Sequence, residues 1–253
     1  TVPEHLAANE NVSTSKICAN LLDLPTVKAF NLSERFRTPV ILLYDEIIGH
    51  TRESVVLPDS VDITNRTHPD VAPEDFWPKE APPAGVPPMP GFGDGYRFHV
   101  TGLTHDHRGF PTNDGDIAEA LITRLHEKIE ANLDEISEVE TYMLDDAEIA
   151  IFAYGIVGRS AREAVIRARE AGIKAGLIRP LTIWPFPTAE VAAAAQQVDT
   201  MIVAEMNLGQ LIGEVERAAA GATEIVPYLR VDGEPITPTV LLDLMMPGTG
   251  GSS

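Results

Sequence analysis

From Glu148 onward the chain alternates short apolar runs with segments of helical composition, and this alternation constrains the fold more than any other feature. Glu148-Ile-Ala-Ile-Phe-Ala-Tyr154 reads as a buried strand, turned by Gly155-Ile-Val-Gly158. Ser160 is placed to cap a helix through about Ala171, which Gly172 stops. Ile173 to Ile178 is a second strand, the alanine-rich Thr188 to Val198 a helix, and Thr200 to Glu205 a third strand. A helix over Gly209 to Ala219, a strand over Glu224 to Arg230 and a helix over Thr237 to Met245 close the pattern. Strands separated by helices of about ten residues require right-handed crossovers and a mostly parallel sheet covered on both faces. The predicted fold is therefore α/β, with a doubly wound sheet in the third zone of the chain, residues 146–253.

Two zones precede it. In residues 1–56, Val27, Phe30, Leu32 and Phe36 lie on one helical face, and Thr38-Pro39 ends that helix. The continuous apolar run Val40-Ile-Leu-Leu-Tyr44 predicts a buried parallel strand, so this zone reads as the tail of an α/β layer. Residues 57–145 begin as a connector: Ala81–Pro90 holds five prolines in ten residues, and Gly91, Gly93 and Gly95 follow. Such a stretch holds neither helix nor central strand, so it should run extended over a neighbouring surface. Tyr96–Thr101 and the glycine-containing turn after it predict a small hairpin, and Asp114 to Glu140 a polar helix with Ile117, Leu121, Leu125 and Ile129 at i, i+4 steps.

Charge and cysteine content exclude some functions. The 253 residues carry 38 acidic against 19 basic side chains, a net charge of −19 that repels nucleic acid and anionic membranes. No apolar run approaches the roughly 18 residues of a membrane span, and the N-terminal residues resemble no signal peptide, so a cytoplasmic location is expected. Cys18, the single cysteine, excludes an internal disulfide or a cysteine-held iron–sulfur cluster in this sequence.

In a parallel α/β sheet, chemistry gathers at the carboxyl ends of the strands. Arg179, Glu205, Asn207 and Gln210 fall there and form a candidate interface for a partner. The Gly155–Gly158 turn opening a helix, with Arg179 24 positions further on, also invites an NADP-binding reading. Against it, Val157 stands where the dinucleotide fingerprint needs its middle glycine, which favours a structural strand–helix turn. His105-Asp106-His107 places two imidazoles at i, i+2, with His99 and Asp94 nearby, yet no third and fourth ligand follow from the spacing, and no metal is expected. His50 follows the predicted strand and reads as a hydrogen-bonded structural residue. The sequence contains no nucleophile elbow, P-loop or zinc-protease motif.

Several blocks together resemble one family. Thr26-Val-Lys-Ala-Phe-Asn-Leu-Ser-Glu-Arg-Phe-Arg-Thr-Pro-Val-Ile-Leu-Leu-Tyr-Asp-Glu-Ile-Ile-Gly-His-Thr-Arg-Glu53 is similar to the end of the pyrimidine-binding domain of 2-oxoacid:ferredoxin oxidoreductase α subunits. Tyr96-Arg-Phe-His-Val-Thr-Gly-Leu-Thr-His-Asp-His-Arg-Gly-Phe-Pro111 resembles the connector of the 2-oxoglutarate branch. Gly176–Pro187 and Val203–Gln210 look like its second, transketolase-C-like domain. The resemblance implies a subunit of a heteromeric enzyme that converts a 2-oxoacid and coenzyme A to acyl-CoA and carbon dioxide and passes the electrons to ferredoxin. Thiamin diphosphate, magnesium and an iron–sulfur cluster would be carried by a β subunit, and none by this chain alone. The family's Tyr-Pro-Ile-Thr-Pro type loop and its aminopyrimidine-activating glutamate have no counterpart here, so no catalytic residue is inherited. A truncated or split form, inactive in isolation, is expected. Two alternatives stay open: an NADP-binding oxidoreductase domain and a non-catalytic interaction module.

Overall fold

The computed structural model describes residues 25–52, 60–82 and 84–246. These fall into two compact units, one formed by residues 25–43 and 51–132, the other by residues 44–50 and 133–246. In chain order, α1 covers residues 25–36, α2 Glu46–His50, α3 Gly115–Glu130 and α4 Leu133–Ile136. The remainder is β1 (Val139–Tyr142), β2 (Ile149–Phe152), α5 (Gly155–Glu170), β3 (Ala175–Pro180), α6 (Thr188–Ala195), β4 (Thr200–Glu205), α7 (Ile212–Ala219), β5 (Glu224–Leu229) and α8 (Pro238–Met245). Among these, no helix is long and apolar enough to cross a membrane.

The first unit is built around the end of α1. Arg37 takes a left-handed φ of 46°, and Thr38 N donates back to Ser33 O, closing a Schellman turn. The free carbonyls are capped from α3: Lys128 Nζ, only 2% exposed, donates to Phe36 O at 2.6 Å and Thr38 Oγ1 at 3.2 Å. The Arg37 side chain gathers the connector, donating from Nη1 to Pro87 O and Pro88 O at 2.9 Å each and to Pro78 O at 3.4 Å. Arg124 Nη1 holds Gly85 O at 3.2 Å. Prolines supply acceptors but no amide donors, so long cationic side chains rather than a ladder fasten this segment. Its described residues 81–82 and 84–90 form no helix, as their composition requires, and the connector's one short turn of 3-10 helix lies earlier, at Pro73–Asp75.

Three local expectations are corrected. Residues 40–44 form no strand: they find no ladder partner among the described residues and leave Ile41 and Leu43 more than 70% exposed. An apolar run specifies a buried strand only where neighbouring strands exist to pair with it. Tyr96–Thr101 is not a hairpin arm; the pairing is a single bridge, His105 to Pro111. The long helix ends at Glu130, and Val139–Tyr142, read as helix up to Glu140, is strand β1. The β-branched Val139 and Thr141 and the aromatic Tyr142 favour that outcome.

The second unit holds a five-stranded sheet in the order β1-β3-β2-β4-β5, parallel except for the antiparallel edge strand β1. Pro227 in β5 sits at the opposite edge, where its missing donor costs no central ladder bond. Side chains alternate across the sheet. Ile151, Leu177 and Ile202 pack against α5 and α8, whereas Phe152, Ile178 and Val203 pack against α6 and α7. The helices approach closely because their inner faces are small: Ala161, Ala164 and Ala168 on α5, and Ala194 and Ala195 on α6. Burying each large aliphatic or aromatic core side chain contributes about 1.5–3 kcal/mol. The doubly wound arrangement predicted for the third zone is the one observed.

Candidate functional site

At the carboxyl ends of the strands, register decides which side chains can meet. Phe152 is opposite both Ile178 and Val203, so Tyr154 and Glu205, two residues further on, project to the face covered by α6 and α7. Arg179 has the parity of Leu177 and projects to the other face. The four residues expected to form one interface are therefore divided by the sheet. Glu205 and Asn207 come together with the Gln210 backbone on one side, and Arg179 lies on the other.

Glu205 is 1% exposed, and this chain satisfies its carboxylate. It accepts from Tyr154 Oη at 2.8 Å, from Ile212 N at 3.0 Å and from Leu211 N at 3.1 Å, at the start of α7. A buried anion at a helix N-terminus fills the role that a bound anion takes elsewhere. Asn207 Nδ2 donates to Tyr154 Oη at 2.8 Å, while its Oδ1 accepts from Gly209 N and Gln210 N. Burial first, and then the hydrogen bond to the Glu205 carboxylate, push the Tyr154 phenol well above the ordinary tyrosine range. The network fixes the loop after β4. It leaves Leu208 82% exposed and the Gln210 side chain on the surface.

The turn after β2 is also occupied. Asp45 Oδ2 accepts from Ile156 N at 2.7 Å, and a Cβ on Gly155, whose φ is 56°, would collide with that carboxylate. The helix begins at Gly155, not near Ser160, because Asp45 supplies the N-terminal acceptor from outside the segment. Val157 is buried in the core. Arg179 Nη1 pairs with Glu140 Oε2 at 2.9 Å, and Arg162 Nη1 takes Glu140 Oε1 at 2.6 Å. A Cβ on Gly158 would stand 2.9 Å from Arg179 Nε, so this glycine makes room for an arginine, not for a pyrophosphate. The NADP reading is thereby corrected: a carboxylate holds the phosphate position, and the arginine required for a 2′-phosphate is buried against its own ion partner.

The histidines separate. His105 is buried with Nε2 2.8 Å from Thr101 Oγ1, whereas the exposed His107 ring meets the edge of Trp77. His50 is exposed at the end of α2 beside Glu46. Asp45 and Tyr154 escaped sequence reasoning. The signal for Asp45 was faint, an acid directly after an apolar run, and nothing in the sequence ties it to a turn 110 residues away.

Residues 19–122 match the family described as "Pyruvate flavodoxin/ferredoxin oxidoreductase, thiamine diP-bdg", and residues 147–241 match "Pyruvate:ferredoxin oxidoreductase core domain II". The chain is 46% identical over 222 residues to 2-oxoglutarate synthase subunit KorA of Methanothermobacter thermautotrophicus, covering 87% of this chain and 59% of the relative. It is 44% identical, with the same coverage, to KorA of Methanothermobacter marburgensis. Among solved structures, 2-oxoglutarate:ferredoxin oxidoreductase from Magnetococcus marinus, with 2-oxoglutarate, coenzyme A and succinyl-CoA bound, superposes with a TM-score of 0.72 at 25% identity. That match covers 85% of this chain and 38% of the other. The chain thus spans about three-fifths of the curated relatives it matches.

A thiamine diphosphate end needs an anion cradle and ligands for a divalent ion. Both helix N-termini described above hold this chain's own carboxylates, and no cluster of three or more His, Cys, Asp or Glu among the described residues is arranged for a metal. Neither of these two helix N-termini is therefore free to cradle a diphosphate. With both segments matched in order and with this degree of identity, the chain belongs to the 2-oxoacid:ferredoxin oxidoreductase α-subunit family.

Proposed function

We propose that this chain is part of the α subunit of a cytoplasmic 2-oxoglutarate:ferredoxin oxidoreductase. The reaction is oxidative decarboxylation: a 2-oxoacid and coenzyme A give the acyl-CoA and carbon dioxide, and two electrons pass to ferredoxin. The observation that carries this reading is the 46% identity to a 2-oxoglutarate synthase subunit over 87% of the chain. Thiamine diphosphate, magnesium and the iron–sulfur cluster are assigned to a partner β subunit. In keeping with that division of labour, Asp45 and Glu205 cap helices instead of facing a ligand, and this chain acts as scaffold and interface.

The interface narrows from the four expected residues to the loop after β4, where Leu208 and Gln210 face outward and Glu205 and Asn207 hold the backbone from beneath. Arg179 contributes to packing on the opposite face. Co-expression with a thiamine- and cluster-bearing β subunit tests the reading, using viologen reduction with 2-oxoglutarate and coenzyme A. A stable complex is expected, with viologen reduction only once a polypeptide supplying the substrate loop and the aminopyrimidine-activating glutamate is added, and none from this chain alone. The Leu208→Asp variant should weaken co-purification. Turnover by the purified single chain would overturn the assignment, and an unimpaired Leu208→Asp complex would overturn the interface.

A further inference from the structure

The first unit carries a cleft that no role above uses. It encloses about 640 Å³ and is lined by Trp77, Phe92, Phe98 and Phe110 together with Arg97 and Arg108. Volumes of this order accommodate small molecules. The rings are held in place yet remain accessible. Phe92 is 85% exposed and stacks on Phe98, with centroids 5.2 Å apart and planes 28° from parallel. The Arg108 guanidinium lies 5.3 Å from the centre of the Trp77 ring. The His99 ring supports Phe110 at 5.3 Å.

Charge sharpens the picture. The lining includes two arginines, a histidine and no carboxylate, in a chain whose acidic residues outnumber its basic ones two to one; Glu74 and Asp75 lie just beyond Pro73, outside the lining. Neither Arg97 nor Arg108 donates a hydrogen bond to any described residue, so both forks are available to an anion. Exposed ring faces beside guanidinium groups with unpaired N–H donors, one of them stacked on Trp77, match a ligand that is planar and aromatic at one end and anionic at the other.

We propose that this cleft binds a nucleotide, with the base stacked on the aromatic rings and the phosphates held by Arg97 and Arg108. Two sources share this chemistry: the nucleotide end of coenzyme A, which rests on the oxidoreductase reading above, and a free adenine nucleotide, which does not. The full chain with Trp184→Phe leaves Trp77 as the single tryptophan reporter. Titration with adenosine, ADP and coenzyme A, followed by fluorescence and by calorimetry, tests the site. Saturable binding is expected, with ADP at least about tenfold tighter than adenosine, because only ADP engages the arginines. Arg97→Ala and Arg108→Ala should each remove most of that preference and leave adenosine affinity unchanged, while Phe92→Ala weakens every ligand. Coenzyme A binding more tightly than ADP identifies it as the source, and the reverse order identifies a free nucleotide. Absence of saturable binding by both methods at millimolar ligand, or equal affinity for ADP with and without both arginines in variants that keep their circular dichroism, overturns the proposal.

Discussion

The Asp45 carboxylate lies 2.7 Å from the amide nitrogen of Ile156, so an acid distant in sequence supplies the N-terminal cap of α5. Asp45→Ala leaves that amide without its acceptor and should cost about 1–2 kcal/mol in chemical denaturation. Asp45→Asn keeps an acceptor oxygen and should cost less. Equal midpoints for the wild type and the alanine variant would show that the cap contributes nothing.

Glu205 accepts from three donors in a buried setting. Glu205→Gln turns an amide group toward at least one of those N–H or O–H groups and should destabilise by about 1–3 kcal/mol. The neighbouring phenol gives a spectroscopic readout. Alkaline difference absorbance should contain one tyrosinate step displaced above the ordinary range, absent in Tyr154→Phe and shifted downward in Glu205→Gln.

Burial, and then the nearby Arg124 and Arg37, lower the Lys128 ammonium from its ordinary value to about 8. In the unfolded chain the same lysine keeps its proton to about 10.4. Between these values the unfolded state binds more protons, so stability rises with pH. Lys79 is lowered for the same reasons and acts in the same direction. The unfolding free energy from urea denaturation should climb between pH 8 and 10 by an amount on the order of 1–3 kcal/mol. Lys128→Met should flatten most of that slope, and a flat wild-type profile would contradict the buried charged cap.

Arg37 joins Pro78, Pro87 and Pro88 through their carbonyls. In Arg37→Ala nothing replaces those bonds, and trypsin should cut at Lys79 about fivefold faster or more under native conditions. An unchanged cleavage rate would mean that other contacts hold the connector.

Gly158 and Arg179 should show strong coupling. Gly158→Ala places a methyl group against the Arg179 side chain and should destabilise by about 1–3 kcal/mol, while the same change in an Arg179→Met background should cost less. Additive costs in this double-mutant cycle would separate the two positions.

The sheet of the second unit was legible because each of its strands β2 to β5 is an apolar run followed by a helix of period 3.6, and local pattern suffices for that. Strand β1 was not, since Val139–Tyr142 carries Glu140 mid-strand and follows a helix without a strong stop. What makes it a strand is pairing with β3, where Glu140 meets Arg179. Residues 40–44 fail in the opposite sense: the pattern of a buried strand is present without a described partner. At the site, the strand pattern put Glu205 and Asn207 at the end of β4, where they lie, but parity across the sheet is a matter of register, so nothing in the sequence revealed that Arg179 faces away. Asp45 and Tyr154 act through contacts more than 50 residues away and carry no local signature.

Because the sheet separates Arg179 from Glu205, its two sides are free to change at different rates. A substitution in the Arg162–Glu140–Arg179 cluster must be accommodated by α5 and β1, whereas one beneath the loop after β4 concerns only Tyr154, Asn207 and the first turn of α7. Residues without shared partners tend to contribute additively. Descendants of this chain can therefore acquire a new association surface around Leu208 without revising the arginine cluster that anchors the antiparallel edge.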